Sequence, residues 1–177
     1  MKRIETQRMI LRPWALSDAD DFFAYAKHPE VGLNGGWPPH ENRGISETVI
    51  GYFIEEGDVW AVELKENGKV VGSIGLHKDG KRPHINTREL GFSLAAEHWG
   101  KGFMTEAALA IVAHAFEEMG LDLLCTYHKT FNERSRRVIE KCGFTQEGIL
   151  RQASKRYDGQ IFDAACYSIL KEEYKTR

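Results

Sequence analysis

The sequence predicts an α/β (α+β) protein built on a single mixed, largely antiparallel twisted sheet flanked by helices. Strand-like and helix-like segments follow one another in the order β-α-α-β-β-β-α-β-α-β-β along 177 residues. The dipeptides Asn67-Gly68 and Asp158-Gly159 are hairpin-turn signals between apolar segments, and hairpin strands pair antiparallel. The order therefore favours a largely antiparallel sheet over a doubly wound parallel one.

The first part of the chain predicts a strand, two helices and a hairpin. Residues 8–14 read as a short strand, and residues 17–20 supply an N-cap and first-turn acids for a helix that runs to about residue 27. Prolines and glycines cluster in residues 28–44, which predicts one long irregular loop. Apolar residues at helical spacing predict a helix over 45–56. Two strands, 59–64 and 69–76, then flank the Asn-Gly turn.

The second part contains the clearest helix of the chain. An apolar face at 3.6-residue spacing follows the turn Gly100-Lys101-Gly102 and continues to Met119, and Gly120 stops it. The other predicted elements are a strand over 89–95, a strand over 121–126, a helix over 132–142 closed by Gly143, and two strands flanking Asp158-Gly159.

Composition predicts an ordinary globular protein with one domain over residues 1–177. Hydrophobic residues make up 42% and charged residues 28% of the chain, which excludes disordered and fibrous classes. No apolar run approaches the roughly 18 residues needed to span a bilayer, and the N-terminus is charged, so we expect no membrane contact and a cytoplasmic location. The 24 basic and 26 acidic residues give a net charge of -2, so no global field favours nucleic acid.

Cysteine and histidine spacing predicts neither disulfides nor a metal site. Three cysteines, Cys125, Cys142 and Cys166, are an odd number at wide separations, so we expect reduced, buried thiols. None of the seven histidines has a partner at the i, i+4 spacing of a metal-binding helix.

The segment from Glu89 to Ala107 is a strand that leads into a glycine turn and then a long helix. The unbonded amides of a first helical turn and the positive end of the helix dipole together favour an anion. The turn is neither a dinucleotide-binding fingerprint, because Thr105 occupies the third glycine position, nor a P-loop. The alternative is a tight turn that merely requires positive φ.

Two motifs in order resemble the GNAT family of acetyl-CoA-dependent N-acetyltransferases. They are Gly100-x-Gly102 after the strand Glu89-x-Gly91, and Asn132-x-x-Ser135-x-x-Val138-x-Glu140-Lys141-x-Gly143-Phe144. The resemblance extends to nearly the whole chain. It also includes residues 6–14, residues 147–151, and Asp158-Gly159 with Asp163 and Tyr167. These features are similar to the branch that contains the ribosomal-protein N-terminal acetyltransferases. The resemblance implies the GNAT acyl-CoA N-acyltransferase fold.

The resemblance implies that acetyl-CoA is the cosubstrate. Backbone amides of the glycine turn would hold its pyrophosphate, and the backbone at the end of the preceding strand would pair with pantetheine. Asn132 would hydrogen-bond pantetheine, or act only as a helix N-cap. Among three arginines of the next helix, Arg137 is the candidate for the 3′-phosphate, and a solvated charged face is the alternative. The implied cofactor-binding residues of the strand and turn are Phe92, Ser93, Leu94, Glu97, His98, Trp99, Gly100, Lys101, Gly102, Phe103 and Met104. Glu97 stands where the family has Gln or Arg, so only its amide is carried over.

The resemblance also implies two catalytic side chains. Glu89 matches the family's acidic strand position and would accept the proton of the amine, although it could instead be an exposed carboxylate facing Arg88 or Lys65. Ile139 stands where many members have the tyrosine acid. The ribosomal-protein branch has a serine three residues after the asparagine, and Ser135 matches it. The resemblance therefore implies that Ser135 donates to the departing thiolate; the alternative is a small packing residue.

The acceptor side is less determined by the motifs. Trp37 would line it or anchor its loop, and Asp163 would orient the amine or be buried and paired with Arg151. We expect direct acetyl transfer to a primary amine, foremost a protein N-terminal amine, by a monomer or homodimer without metal. A polyamine, amino acid or antibiotic is the alternative acceptor. A non-catalytic acyl-CoA-binding module is the rival from another class.

Overall fold

The computed structural model describes residues 1–176. Contacts between Cα atoms group the chain into two compact units. Unit 1 comprises residues 1–75 and 92–107, and unit 2 comprises residues 76–91 and the chain from 108 onward. A single domain over 1–177 stays a prediction.

Residues 1–176 form eight strands and six α-helices. The strands are β1 (Ile4–Glu5), β2 (Met9–Pro13), β3 (Val59–Leu64), β4 (Val70–Lys78), β5 (Thr87–Leu94), β6 (Leu123–Lys129), β7 (Thr145–Lys155) and β8 (Ile161–Leu170). The helices are α1 (Ala19–Ala26), α2 (Pro29–Gly35), α3 (Arg43–Glu56), α4 (Phe103–Ala113), α5 (Glu133–Lys141) and α6 (Lys171–Lys175).

The strands are hydrogen-bonded in the order β1-β2-β3-β4-β5-β6-β8-β7. The pair β5–β6 is parallel, whereas β1–β2, β2–β3, β3–β4, β6–β8 and β7–β8 are antiparallel. Hairpin turns account for β3–β4 and β7–β8, and α4 supplies the crossover that a parallel pair requires. The predicted mixed, largely antiparallel sheet is therefore confirmed.

Aromatic side chains of α1 and α3 pack against Trp14, the residue that follows β2, in unit 1. Met9 and Leu11 alternate on β2 with the half-buried residues Ile10 and Arg12, and are themselves fully buried. The ring of Trp14 lies 5.0 Å from that of Phe22 and 5.6 Å from that of Phe53, measured between centroids. Each such buried side chain stabilises the fold by about 1.5–3 kcal/mol.

Unit 2 is organised around β6. Leu124 on β6, Ile139 on α5 and Ile169 on β8 are fully buried, because a strand paired on both sides and covered by a helix excludes water from both faces. The Thr126 hydroxyl donates to the Leu90 carbonyl at 2.8 Å, which satisfies the polar atom that burial of a threonine would otherwise leave unpaired.

The prediction of an irregular loop over residues 28–44 is wrong in its first half, where α2 forms. Pro29 is the first helical residue, where its missing N–H has no helical partner to lose, and the His28 Nδ1 accepts from the Glu30 amide at 3.3 Å. Gly36 ends the helix with φ 97°. The residues that suggested a loop are thus the two ends of a short helix.

Several boundaries also differ from expectation. Leu16–Asp18 forms a 3₁₀ turn before α1, and Asp18 accepts from the Ala15 amide instead of capping α1. The long helix after the glycine turn is α-helical only to Ala113 and continues as a π-helical turn, His114–Glu118. β1 and α6 are short elements that no periodicity predicted.

Among the helices of residues 1–176, none combines the length and apolar composition needed to cross a bilayer. Within the same residues, no three His, Cys, Asp or Glu side chains are clustered as a metal site would require. Cys125, Cys142 and Cys166 are buried and form no disulfide, which confirms the predicted reduced, buried thiols.

Candidate active site

The glycine turn opens α4 in unit 1 with two residues in the left-handed region. Gly100 has φ 75° and Gly102 has φ 81°, conformations that glycine adopts without a steric penalty. A Cβ added at Gly100 would meet nothing within 4 Å, so the turn offers open space. The amides of Phe103 and Met104, the first two residues of α4, have no acceptor within the helix, because a helix leaves its first N–H groups unbonded. The turn therefore presents backbone donors and a positive dipole end, as an anion site requires.

Arg8 lies beside this turn, a placement the sequence did not indicate. Its Nη1 donates to the Lys101 carbonyl at 3.0 Å, and its guanidinium carbon lies 4.1 Å from the centroid of the Phe103 ring. Its Nε donates to Glu106 at 2.7 Å and its backbone amide donates to the same carboxylate at 2.8 Å. The cofactor-binding segment inferred above thus has an arginine from the N-terminal part of the chain in contact with it.

The backbone of Phe92, Ser93 and Leu94 lies beyond the β5–β6 ladder. That ladder runs from Thr87 and Leu123 to Leu90 and Thr126, whereas β5 continues to Leu94. The Leu94 carbonyl is already occupied, because the indole Nε1 of Trp99 donates to it at 2.8 Å. The side chain of Ser93 shares a hydrogen bond of 2.8 Å with that of Ser73. The end of β5 can therefore offer some of its backbone groups to a ligand, but the Leu94 carbonyl already accepts a hydrogen bond from Trp99.

Glu89 is a half-buried carboxylate on β5, in unit 2. Burial raises its pKa above the usual glutamate value, and the positive charges of Lys81 and His77 only partly oppose this. The two cations that the sequence analysis placed opposite Glu89 have other partners: Arg88 donates to the Thr87 carbonyl, and Lys65 pairs with Glu5. A half-buried carboxylate with a raised pKa is suited to accepting a proton.

A second polar network in unit 2 involves residues that sequence reasoning did not single out. Asp79, whose side chain is fully buried, accepts from the Lys81 amide at 2.8 Å and from Arg82 at 3.1 Å. Burial would raise the pKa of Asp79, but these hydrogen bonds outweigh it and lower the pKa. Arg82 also pairs with Glu147 at 2.5 Å. The network ties the segment between β4 and β5 to β7, within the unit that carries Glu89.

Asn132 and Ser135 come together at the start of α5 in unit 2. The Asn132 Oδ1 accepts from the Ser135 amide at 3.1 Å, so Asn132 is the N-cap and its Nδ2 is the side-chain group left to donate to a ligand. Ile139 is buried and supplies no acid where many GNAT members have tyrosine. Arg136 pairs with Glu133 and Glu140, whereas Arg137 is exposed.

The two residues expected on the acceptor side both have packing roles. Trp37 lies against α2, where a Cβ on Gly35 would approach its ring to 1.8 Å. The carboxylate of Asp163 accepts from the Gln152 amide at 2.8 Å, at a register shift between β7 and β8 where Gln152 has φ 55°. This hydrogen bond joins Asp163 to a backbone amide, not to the Arg151 guanidinium expected from sequence. Acceptor roles for both residues stay predictions.

The sequence matches the family model described as acetyltransferase (GNAT) domain over residues 8–145. The chain belongs to the GNAT acetyltransferase family. YoaA of Bacillus subtilis (strain 168), named an uncharacterized N-acetyltransferase, is 31% identical over 173 residues, which cover 95% of this chain and 96% of YoaA. YdaF of the same organism, named provisionally as a ribosomal N-acetyltransferase, is 34% identical over 113 residues, 63% of this chain and 60% of YdaF. This GNAT protein is accordingly an N-acetyltransferase.

Solved structures share the fold of this GNAT protein. A GNAT-family acetyltransferase from Bacillus anthracis has a TM-score of 0.87 and 24% identity, over 97% of this chain and 100% of that one. The microcin C7 self-immunity acetyltransferase MccE, solved with acetyl-CoA and AMP, has a TM-score of 0.81 and 21% identity, over 93% of each chain. Both likenesses concern the fold, and they confirm the predicted GNAT architecture.

Proposed function

We propose that this GNAT protein moves an acetyl group from acetyl-CoA directly to a primary amine, and that the amine is a protein N-terminus. The observation that carries the first part is the open glycine turn at the start of α4, whose residues fit a pyrophosphate. Two positive-φ glycines leave the backbone accessible, and the amides of Phe103 and Met104 lack helical acceptors. The resemblance to the ribosomal-protein branch and the name of YdaF support the acceptor class.

When bound, acetyl-CoA supplies an activated thioester. This chain then needs only to bind acetyl-CoA and the amine, orient them and move protons. Amides of residues 97–104 would hold the pyrophosphate, and the Asn132 Nδ2 would donate to the pantetheine arm. Glu89 would accept a proton from the amine, because its raised pKa makes it a better base than an exposed glutamate. Ser135 would hydrogen-bond the leaving sulfur. The three cysteines take no covalent part.

The phosphate site is tested by Gly100→Asp, with two controls that separate charge from backbone strain. Asparagine has the same shape and tolerates the left-handed region, so Gly100→Asn keeps the strain and omits the charge. Gly57→Asp places the same residue at φ 64° at the end of α3. We expect acetyl-CoA to raise the melting temperature of wild type, Gly100→Asn and Gly57→Asp, but not of Gly100→Asp, because a carboxylate repels phosphate. An equal shift in Gly100→Asp would contradict the pyrophosphate assignment.

The acceptor is tested by thiol release from acetyl-CoA with a matched amine panel. The panel contains a peptide with a free N-terminus and an internal lysine, the same peptide with its N-terminus blocked, a polyamine, and a free amino acid. We expect release with the free N-terminus alone, over a control without amine. Release with the polyamine or the amino acid instead would assign a small-molecule acceptor. Stabilisation by acetyl-CoA without release from any amine would indicate a binding module.

A further inference from the structure

We propose that Arg8 is a positioning residue, which holds the glycine turn in the orientation that points the Gly102 amide away from Arg8 and toward a bound phosphate. The inference rests on the proposed pyrophosphate site and assigns a role to a residue about ninety positions away in the sequence. All the contacts that carry it lie within unit 1. They involve Arg8, the carbonyl of Lys101, the ring of Phe103 and the carboxylate of Glu106.

The geometry of one peptide group sets the direction of the Gly102 N–H. Lys101 and Gly102 share a trans peptide, in which the carbonyl and the N–H point in opposite directions. Because the Arg8 Nη1 donates to the Lys101 carbonyl at 3.0 Å, the Gly102 N–H is directed away from the arginine. A contact on one side of the peptide plane therefore sets the direction of the donor on the other side.

The 101–102 peptide needs a partner that holds it in one orientation. It joins Lys101 to Gly102 and comes one residue after Gly100; both glycines have positive φ, and glycine has the widest choice of backbone conformations. Rotation of the 101–102 peptide about its flanking bonds would turn the Gly102 N–H away from a ligand at little steric cost. The hydrogen bond from Arg8 opposes that rotation, so ligand binding does not have to order the turn.

Arg8 is itself held in place by Glu106. Glu106 accepts from its Nε and from its backbone amide, at 2.7 and 2.8 Å. Burial would raise the pKa of Glu106, but hydrogen bonds from Thr6 and from both groups of Arg8 lower it. The Glu106 amide also donates to the Gly102 carbonyl at 3.0 Å, which closes the first turn of α4. One residue thus anchors both the arginine and the turn.

The ion pair between Arg8 and Glu106 favours a positioning role for Arg8 over a role as a positive charge that attracts phosphate. The Glu106 carboxylate neutralises the guanidinium, so Arg8 adds little net positive charge for a phosphate. The ring of Phe103 lies under the guanidinium plane, and an ideal Cβ on Gly102 would lie 3.5 Å from the Arg8 Nη2. Arg8 therefore contacts Lys101 and Phe103, the residues before and after Gly102, through a planar, forked group that lysine cannot reproduce.

The test compares the affinities of coenzyme A and pantetheine, which lacks the pyrophosphate, for Arg8→Met and Arg8→Lys by calorimetry. The matched control is Arg12→Met, because Arg12 also pairs with two carboxylates, those of Asp18 and Glu63, but has no recorded contact with the turn. We expect both Arg8 variants to weaken coenzyme A binding about tenfold, the size of one weakened charge-assisted hydrogen bond, with pantetheine unchanged. Arg12→Met should lower thermal stability without changing the ratio of the two affinities.

Each outcome separates the inference from the proposed function. If wild type binds coenzyme A no more tightly than pantetheine, the proposed pyrophosphate site is wrong. If wild type shows the preference and Arg8→Met keeps it, the pyrophosphate site stands and the role of Arg8 is wrong. If Arg8→Lys binds as wild type while Arg8→Met does not, charge and not peptide orientation is what Arg8 contributes, and positioning is again contradicted. Should Arg8→Met fail to fold, Arg8→Lys carries the same comparison.

Discussion

At the scale of single residues, Glu89 has the chemistry best suited to proton transfer. It is half-buried on β5, and burial raises its pKa. A carboxylic acid whose folded-state pKa is raised costs the fold stability at neutral pH, because the protein must keep a charge in a poorly solvated place. A cost of this kind is common where a side chain is kept for catalysis and not for packing.

We predict that Glu89→Gln lowers the rate of acetyl transfer by roughly 10²-fold, the contribution typical of one general base. The loss should shrink at high pH, where the acceptor amine is already neutral, and wild-type activity should fall as acid protonates Glu89 through its raised pKa. The variant should be more stable than wild type at neutral pH, and this gain should vanish near about pH 4, where glutamate is protonated in both states.

Steady-state rates across pH and denaturant unfolding at two pH values check this prediction. Glu66→Gln, an exposed carboxylate in the β3–β4 turn, is the control and should match wild type. A defect of constant size at every pH would assign Glu89 to positioning the acceptor instead.

Ser135 is the second residue with a catalytic role to test. If its hydroxyl donates to the departing sulfur, the hydrogen bond strengthens as charge develops, so Ser135→Ala should slow transfer about tenfold, or about 1.4 kcal/mol in the barrier. Coenzyme A affinity should barely change. A rate within about a factor of two of wild type would leave proton donation to water, since alanine is a good helix former of similar size.

At the scale of elements, the start of α5 carries one side chain, Asn132, that caps the helix and for which we propose a binding role as well. The Asn132 Oδ1 caps the helix through the Ser135 amide, while the other half of the same amide group can donate to a ligand. Because Asn132 is buried, its orientation is fixed by the cap. The cap at the start of α5 thus fixes the direction in which the Asn132 Nδ2 can donate.

Substitutions at Asn132 can separate these two roles. Aspartate caps helices as well as asparagine does but cannot donate, so Asn132→Asp should retain stability and weaken coenzyme A binding. Asn132→Ala should lose both, with a stability loss of about 1 kcal/mol. Thermal unfolding and calorimetry check the two effects, and unchanged affinity in Asn132→Asp would show that capping is its sole role.

At the scale of the whole molecule, no disulfide links any described part of the chain, residues 1–176. Stability must therefore come from the sheet, its helices and the buried apolar side chains. Burial raises the pKa of Cys125 to about 12, so its nucleophilic thiolate is scarce at neutral pH. Direct transfer to the amine, without a cysteine intermediate, agrees with this environment.

We predict that reducing agents leave the melting temperature unchanged and that brief alkylation of the native protein near neutral pH leaves its activity intact. The buried thiols should react only on unfolding, and three should then be titrated. Rapid inactivation of the native protein by an alkylating agent, prevented by acetyl-CoA, would instead indicate a reactive cysteine at the site.

Features that depend on a few neighbouring residues could be predicted from the sequence. The glycine turn, the start of α4 and the cap at Asn132 follow from local backbone preferences, and alternation and turn chemistry were enough for most strands. The family and the fold class were predictable for the same reason. The short helix α2 was not recognised, because its proline and glycines also suit a loop.

Contacts between side chains far apart in the sequence could not be predicted, because they depend on the folded arrangement of the strands and helices. Arg8 reaches Glu106 across 98 positions, and Arg82 reaches Glu147 across 65. Such pairs depend on strand order and register, including the placement of β8 between β6 and β7, which no local pattern encodes. The same holds for the raised pKa of Glu89, because its cause is burial by residues far away in the sequence. Local chemistry thus gave the candidate residues, and long-range packing set their environments.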